Sequence, residues 1–576
     1  MAKKTIKSIR SLMLASTLGL TAVAGNLAIS GHQVSAEEVQ NVIDYENRSK
    51  EFLNVVQAKN WDDAYHLLSK DLQSALPKEL LSTLWSQLTA PYGEVKETSF
   101  ERVKNDGVHT KATFIATAEQ GVYKQEIKFN KEGQIDDFLF DVITAPESFL
   151  NPPYNHPENY NEKQVVIGEG KYALPGVLTV PKGDGPFPVV VLVHGSGPND
   201  MDETMNVFKP FRDIAVGLAN EGIAVLRYDK RTRAHTVKTS TEPTFSIQEE
   251  TVIDANLAVD QLKTLPEIDP NQIFVLGHSQ GAFALPLIVE NDKSKDIKGV
   301  IGVAGPAGKF HKLLVWQMEE QLKLAEKMKA PKEQIIAINE LLATYQNQFS
   351  ILEDPQYSKE NIPASFQMQN AYWWFDLRDY VPTELAKKQD IPTLLLQGAK
   401  DLQVPVSEFE TWKTALNNRD NVDYKLYPNM FHTLVDYPGE PNWMTEYMTP
   451  GNVSQPFLSD IAEWVKTGSI QPAEVQPEPE DPKQEPTVYW DGLLMKKGQI
   501  GKIEVVKPIN LWKRVDDKLE FVRVLQPGEH YRVYKYDNQF GGQYGLGDNH
   551  YITKMEEHII YKTPSKAKLR EMGMEN

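Results

Sequence analysis

The sequence predicts an α/β protein built on a parallel sheet buried on both faces, with a small α+β domain before it and a small all-β domain after it. Three observations carry this prediction. From about residue 161 to 469, short runs rich in Val, Ile and Leu (FPVVVLVHG, IAVLRYDKR, IFVLGHS, GVIGVAG, TLLLQGAKD) alternate with amphipathic stretches such as Ile247 to Leu265. Continuous apolar strands separated by helices are the signature of a parallel sheet covered on both sides. Upstream, helical spacing gives way to alternating strand patterns, and downstream Gly-rich turns separate short strand-like pieces. With 576 residues, 41% hydrophobic and 24% charged, the chain has a globular composition and room for several domains.

The first 36 residues carry Lys3, Lys4, Lys7 and Arg10, an apolar run from about Leu12 to Ile29, and Val34-Ser35-Ala36 before Glu37. This pattern predicts a secretory signal peptide, and hence a protein that is not integral to the membrane once cleaved. The alternative, a membrane anchor, is disfavoured by Ser16, Thr17, Thr21, Asn26 and the glycines that interrupt the run. The absence of Cys excludes disulfides, thiolate metal sites and a cysteine nucleophile. For an exported protein it points to a secreted or cell-surface location of the Gram-positive kind. A net charge of −18 argues against general nucleic-acid binding.

Residues 37–145 are read as the small α+β domain. NRSKEFLNVVQAKNWDDAYHLLS and KELLSTLWSQL have helical spacing, and three strand-like runs follow, among them GVHTKATFIATA and GVYKQEIKFN. The order of helices followed by an antiparallel sheet resembles nuclear-transport-factor-like domains, and Trp61 and Trp85 read as core or interface. Pro146, Pro152, Pro153 and Pro157 mark a linker into the parallel-sheet domain, residues 161–469. Between about 307 and 390 the alternation stops and long helical patterns such as KLLVWQMEEQLKLAEKMK take over, which predicts an inserted helical cap. Its Trp373, Trp374 and Phe375 either line an apolar acyl pocket or form the cap's own core. Residues 470–487 form a Pro/Glu-rich linker. Residues 488–576 predict a β-rich unit similar to bacterial SH3-like surface domains, with 15 Lys and Arg against 12 Asp and Glu. That balance suggests attachment to an anionic cell-wall or envelope polymer, although a solvated β-domain accounts for it equally well.

The chemistry centres on VLGHSQGAF, Val275 to Phe283, which holds the one Gly-x-Ser-x-Gly in the chain. Ser279 follows an apolar strand and precedes a helical pattern, the order a nucleophile elbow requires, with small residues Gly277 and Gly281 at the strained turn. A serine hydroxyl needs a base, usually His oriented by a carboxylate, and in folds that use this elbow both follow the serine. After TLLLQGAKD the histidines are His432, His530, His550 and His558, and the last three lie beyond the Pro/Glu linker, which leaves His432. Asp401, just past the strand, is the favoured acid over Asp420 and Asp423, which sit in a polar stretch. Two backbone amides should form the oxyanion hole, that of Gln280 after the nucleophile and that of Ser196 in the turn VVVLVHGSGPND.

HGSGP-x-D, RYDKR, GHSQG, LLLQGAKD and the histidine of FH stand in the order of an α/β-hydrolase, and residues 161–469 resemble that superfamily. The match is similar to secreted carboxylesterases in which a small α+β domain precedes a capped hydrolase. The resemblance implies a Ser279, Asp401 and His432 triad, the Ser196 and Gln280 amides as oxyanion hole, an ester substrate, and no metal or cofactor. RYDKR is usually followed by Gly, whereas Arg231-Thr232-Arg233 stands here. Asp200 and Tyr228 are read as shaping the mouth of the site or packing behind it. The expected activity is carboxylester hydrolysis through an acyl-enzyme, on short to medium acyl chains. Its rivals are a serine peptidase or aminopeptidase, and a non-catalytic surface-binding protein on the same scaffold.

Overall fold

Asp44 opens the first helix, its carboxylate accepting from the Asn47 amide at 3.0 Å. The computed structural model describes residues 43–143, 149–470, 489–490, 493–515, 518–547 and 549–571. The signal segment, Pro146 and the Pro/Glu linker predicted above lie outside the described residues, apart from Ile470. No helix among the described residues is long and apolar enough to cross a membrane.

Helices α1 (Tyr45–Gln57), α2 (Trp61–His66), α3 (Lys70–Ala75) and α4 (Lys78–Thr89) pack on an antiparallel sheet. Its strands β1 (Val95–Asn105), β2 (Thr110–Ala118), β3 (Gly121–Phe129) and β4 (Ile135–Asp141) follow one another in space as in sequence. Phe52, Leu72 and Leu81 meet Phe114, Ile127 and Phe129 between the layers. Trp85 is a core residue, its ring 5.6 Å from Phe52 and 5.4 Å from Phe138, and Trp61 packs against the same cluster. The sheet has four strands where three were expected. Of the four, β1, VKETSFERVKN, is an edge strand exposed along most of its length and rich in charge, so it carries the least apolar alternation to read.

The second sheet is built from β5 (Tyr160–Ile167), β6 (Leu174–Pro181), β7 (Phe187–Val193), then α5 (Pro210–Asn220) and β8 (Ala224–Tyr228). Short helices α6 (Arg231–Ala234) and α7 (Thr236–Ser240) precede α8 (Ile253–Leu262), which is entered through a π-helical turn at Gln248–Val252. Then come β9 (Ile268–His278), α9 (Gln280–Asn291) and β10 (Ile297–Val303). The helical insertion α10 (Phe310–Lys327), α11 (Lys332–Glu353), α12 (Ala371–Leu377) and α13 (Pro382–Ala386) follows, at the place predicted for the cap. The chain returns through β11 (Thr393–Gly398), α14 (Val406–Ala415), β12 (Val422–Tyr427), α15 (Thr445–Met448) and α16 (Gln455–Thr467).

The eight strands are ordered β12-β11-β10-β9-β7-β8-β6-β5, parallel from β12 to β8 and antiparallel at β6 and β5. Side-chain alternation along each central strand divides two cores. Val189, Val191, Val193, Ile273 and Val275 face α8 and α9, whereas Val190, Leu192, Phe274 and Leu276 face α5 and α16. Each such buried side chain contributes about 1.5–3 kcal/mol. The sheet is therefore fixed from both sides, and its parallel strands deliver their carboxyl ends to one edge.

Residues up to Ile470 form one compact unit and those after it a second. Within the first, the α+β domain meets the larger α/β domain through buried polar contacts. Asp137 accepts from the amides of Val237 and Lys238, Lys238 Nζ lies 2.7 Å from Asp136, and Val237 enters the α+β core. The second unit contains a three-stranded sheet of His530–Val533, Gly501–Val505 and Ile559–Lys562. A five-stranded sheet runs in the order Lys518–Leu525, Ile509–Val515, His550–Thr553, Gln543–Gly547 and Lys535–Asp537. Both close on Ile503, Val505, Leu525, Val533 and Ile552.

Candidate active site

Ser279 sits between the last residue of β9 and the first of α9 at φ 54° and ψ −115°, a left-handed backbone that costs about 1–3 kcal/mol for a non-glycine residue. The flanking glycines explain how the turn closes. A Cβ on Gly277 would lie 2.4 Å from the Gly281 carbonyl carbon, and one on Gly281 would lie 2.2 Å from the Val193 oxygen. The Ser279 amide is tied to the Val303 carbonyl at 2.9 Å, which anchors the elbow to β10. Gln280 is the first residue of α9, so its N–H has no acceptor within the helix and points to the positive end of the helix dipole.

Ser196 follows β7 and is exposed. Its neighbour Gly195 is close enough to the elbow that a Cβ there would be 3.2 Å from the Ser279 Cβ. The loop is held by its own side chains: Asn199 donates to the carbonyls of Gly195 and Ser196, both at 3.1 Å, and Asp200 accepts from the Thr204 amide and hydroxyl. Asp200 therefore organises the loop from within. Tyr228 is buried with its ring 5.6 Å from that of His194, so it packs behind the site. Burial drives His194 down to about 4, and it is neutral at ordinary pH.

Asp401 and His432 are brought together. The His432 Nδ1–H donates to Asp401 Oδ2 at 2.7 Å, with both side chains buried, and this tautomer leaves Nε2 free to accept a proton. Asp401 Oδ1 accepts from the Gln403 and Val404 amides at 2.7 and 2.9 Å. Asp423 lies on β12 and accepts instead from the Ile470 amide. The His432 loop is pressed against the end of β11: a Cβ on Gly398 would be 2.2 Å from the Met430 oxygen.

Sequence reasoning missed two residues that join these parts. Glu203 is buried at φ 50°. One carboxylate oxygen accepts from the Gly195 amide at 2.6 Å and the other pairs with His278 Nδ1 at 2.9 Å. His278, immediately before Ser279, donates through Nε2 to the His432 carbonyl at 2.9 Å, and the two rings lie 4.8 Å apart. Burial opposes both charges, yet each outweighs it for the other: Glu203 is held below the usual carboxylate range and His278 above the usual imidazole range. His278 stood inside the quoted motif, and a polar residue ending an otherwise apolar strand was the available signal. Glu203 has none in the sequence.

Trp373 is buried in the core shared by sheet and cap, with its Nε1 donating to Glu250 at 2.7 Å. Trp374 packs on Phe349 and Phe310, and Phe375 packs on Phe366 inside the cap. Among the described residues, His109, Asp136 and His235 are the grouping whose ligand atoms come within 4.8 Å of one another. The Lys238 ammonium beside Asp136 already supplies a cation there.

Residues 185–438 match the family described as serine aminopeptidase, S33, and residues 49–138 a family described as a protein of unknown function, DUF3887. Esterase EstD of Thermotoga maritima is 33% identical over 415 residues, 72% of this chain and 93% of that protein. The chain belongs to the esterase-like α/β-hydrolases. The similarity to EstD spans more than the hydrolase core, so this esterase-like hydrolase shares most of its length with a protein of that kind. Among solved structures, Est1E from Butyrivibrio proteoclasticus is 16% identical with a TM-score of 0.33, covering 53% of this chain and 96% of that one. An esterase of Pyrococcus furiosus is 16% identical with a TM-score of 0.34, covering 56% and 96%.

Proposed function

We propose that this hydrolase is a secreted or cell-surface carboxylesterase that works through a Ser279, His432 and Asp401 triad. The observation that carries the reading is the Asp401–His432 hydrogen bond, made at the carboxyl edge of the sheet beside the Ser279 elbow. His432 takes the Ser279 proton through Nε2 as the hydroxyl oxygen bonds to the ester carbonyl carbon. The amides of Ser196 and Gln280 stabilise the resulting oxyanion. The C–O bond to the alcohol breaks and His432 returns the proton to the departing alkoxide. Water, deprotonated by the same histidine, then releases the acid and restores the serine.

The substrates are short to medium acyl esters, admitted beneath the cap and past its Trp374 face. A signal peptide cleaved after Ala36 exports the protein, and residues 488–576, with 15 Lys and Arg against 12 Asp and Glu, attach it to an anionic envelope polymer. A peptidase is the second reading, favoured by the description of the S33 family.

Labelling by a fluorophosphonate probe tests the nucleophile: the parent chain is labelled and Ser279→Ala is not. Persistent labelling of the variant removes Ser279 from the mechanism. Turnover of nitrophenyl acyl esters without turnover of aminoacyl nitroanilides separates esterase from peptidase, and the reverse outcome selects the peptidase.

A further inference from the structure

Lys230 ends the Arg227-Tyr228-Asp229-Lys230 segment that leaves β8, and it is 2% exposed. Its ammonium donates to the Gly195 carbonyl and to Gln280 Oε1, both at 2.8 Å, and pairs with Glu250 at 2.7 Å. These acceptors lie on the two sides of the proposed oxyanion hole. The Gly195 carbonyl and the Ser196 N–H are opposite ends of one planar peptide unit, so fixing the first fixes the direction of the second. A cation on the carbonyl also polarises that unit and strengthens its N–H as a donor. On the other side, the same ammonium restrains the side chain of Gln280, whose own amide heads α9. Glu250, in the π-helical turn, accepts from Trp373 Nε1 of the cap at 2.7 Å while it pairs with Lys230, so the cap and Lys230 meet on one carboxylate.

The segment that carries Lys230 is held by the α+β domain. Lys111 of β2 reaches Asp229 at 3.3 Å, and the other Asp229 oxygen accepts from the Met201 amide in the loop after Ser196. Lys128 of β3, fully buried, donates to the carbonyls of Arg233 and Ala234 at 2.6 and 3.0 Å. Arg233 pairs with Asp141 at 2.7 Å, and Asp137 accepts from the amides of Val237 and Lys238. Arg231 turns inward to Asp254. The departure from the family pattern at Arg231-Thr232-Arg233 is thus the place where the hydrolase docks its neighbour.

We infer that the α+β domain is a positioning element of the active site: by holding residues 229–238 it fixes Lys230, and Lys230 orients the Gly195–Ser196 peptide and Gln280 for the oxyanion. The inference rests on the serine-esterase reading above and gives the domain a role in that chemistry. Lys230 and Lys111 act through the amides and touch no reacting atom.

The experiment uses the full chain, nitrophenyl butyrate, and an alkyl trifluoromethyl ketone that adds to a serine hydroxyl to give a hemiketal oxyanion. For Lys230→Met, kcat falls about 100-fold, KM stays within about twofold, and the ketone binds weaker by the factor lost in kcat/KM. For Lys111→Met the same pattern appears at about tenfold. A purely structural role lowers the folded fraction and leaves ketone affinity unchanged, so that outcome overturns the inference. So does a Lys230→Met enzyme with parental kcat. If Lys230→Met is impaired while Lys111→Met matches the parent, the domain's part is overturned. Should Lys230→Met not fold, Lys230→Met with Glu250→Gln removes the buried charges together and is read in the same way. Failure of the underlying reading is distinct, since Ser279→Ala would then retain both turnover and ketone binding.

Discussion

His278 Nε2 donates to the main-chain oxygen of His432 at 2.9 Å while its Nδ1 pairs with Glu203 at 2.9 Å. The residue before the elbow serine therefore grips the backbone of the proposed base. Glu203 in turn holds the Gly195 amide, so three loops from different strand ends share one buried ion pair. Position of the base is set by main-chain contacts as well as by Asp401.

Replacing His278 by Leu leaves the Glu203 carboxylate buried and unpaired, at an expected cost of about 3–5 kcal/mol. The cost depends on pH. His278 is raised in the folded state, so its contribution is fully present below its unfolded value of about 6.5 and is lost as pH rises through the folded value. Glu203 is lowered, so its contribution is present above about 4.3 and is lost as pH falls through its folded value. Urea unfolding of parent and His278→Leu should differ most near pH 5.5 and less at pH 9. A difference independent of pH would mean the pair is not charged.

Asp401→Asn separates orientation from packing. The Asn Oδ1 still accepts from the Gln403 and Val404 amides, which Asp401 Oδ1 holds now, so the turn survives. Its Nδ2 faces His432 Nδ1, which must become the acceptor, and the imidazole proton moves to Nε2. There it blocks uptake of the serine proton. Ester turnover is expected to fall about 10³- to 10⁴-fold with little change in melting temperature. A loss under tenfold would remove Asp401 from the mechanism.

Gly281→Ala places a Cβ 2.2 Å from the Val193 oxygen, and neither backbone has room to yield. Misfolding or a loss of about 3 kcal/mol is expected. Gly308→Ala meets no atom within 4 Å and serves as the comparison, with stability within about 0.5 kcal/mol of the parent. Equal melting temperatures for the two variants would contradict the close packing of the elbow against β7.

The elbow was readable because its demands are local: an apolar strand, two glycines and a helix lie within a few residues of Ser279. His432 was reached by elimination, and Asp401 by its place after a strand. Lys230 stood in RYDKR, which carries the resemblance but suggests no role for it, and Glu203 and Glu250 left no such trace. These two are charged residues in polar stretches, where the solvated reading is the default, and only the folded chain brings Lys230 against Gly195, 35 residues away. One strand more than the three expected was present, and edge strand β1 is the hardest to read because an exposed strand has no buried face to mark it.

Asp137 tests how firmly the two domains of the first unit are joined. It is fully buried, accepts from the Val237 and Lys238 amides at 3.1 and 3.2 Å, and lies 4.0 Å from the Lys128 ammonium. Asp137→Ala strands two amides and a buried cation, for an expected loss of about 3–5 kcal/mol. Val237 enters the α+β core and Lys128 binds the carbonyls before it, so neither domain keeps its interface face when the other unfolds. Calorimetry of residues 43–470 should accordingly show both domains melting in one transition in the parent, shifted down in Asp137→Ala. A hydrolase transition that stays at the parental temperature, while a second moves alone, would show that the interface carries no coupling and that each domain is stable by itself.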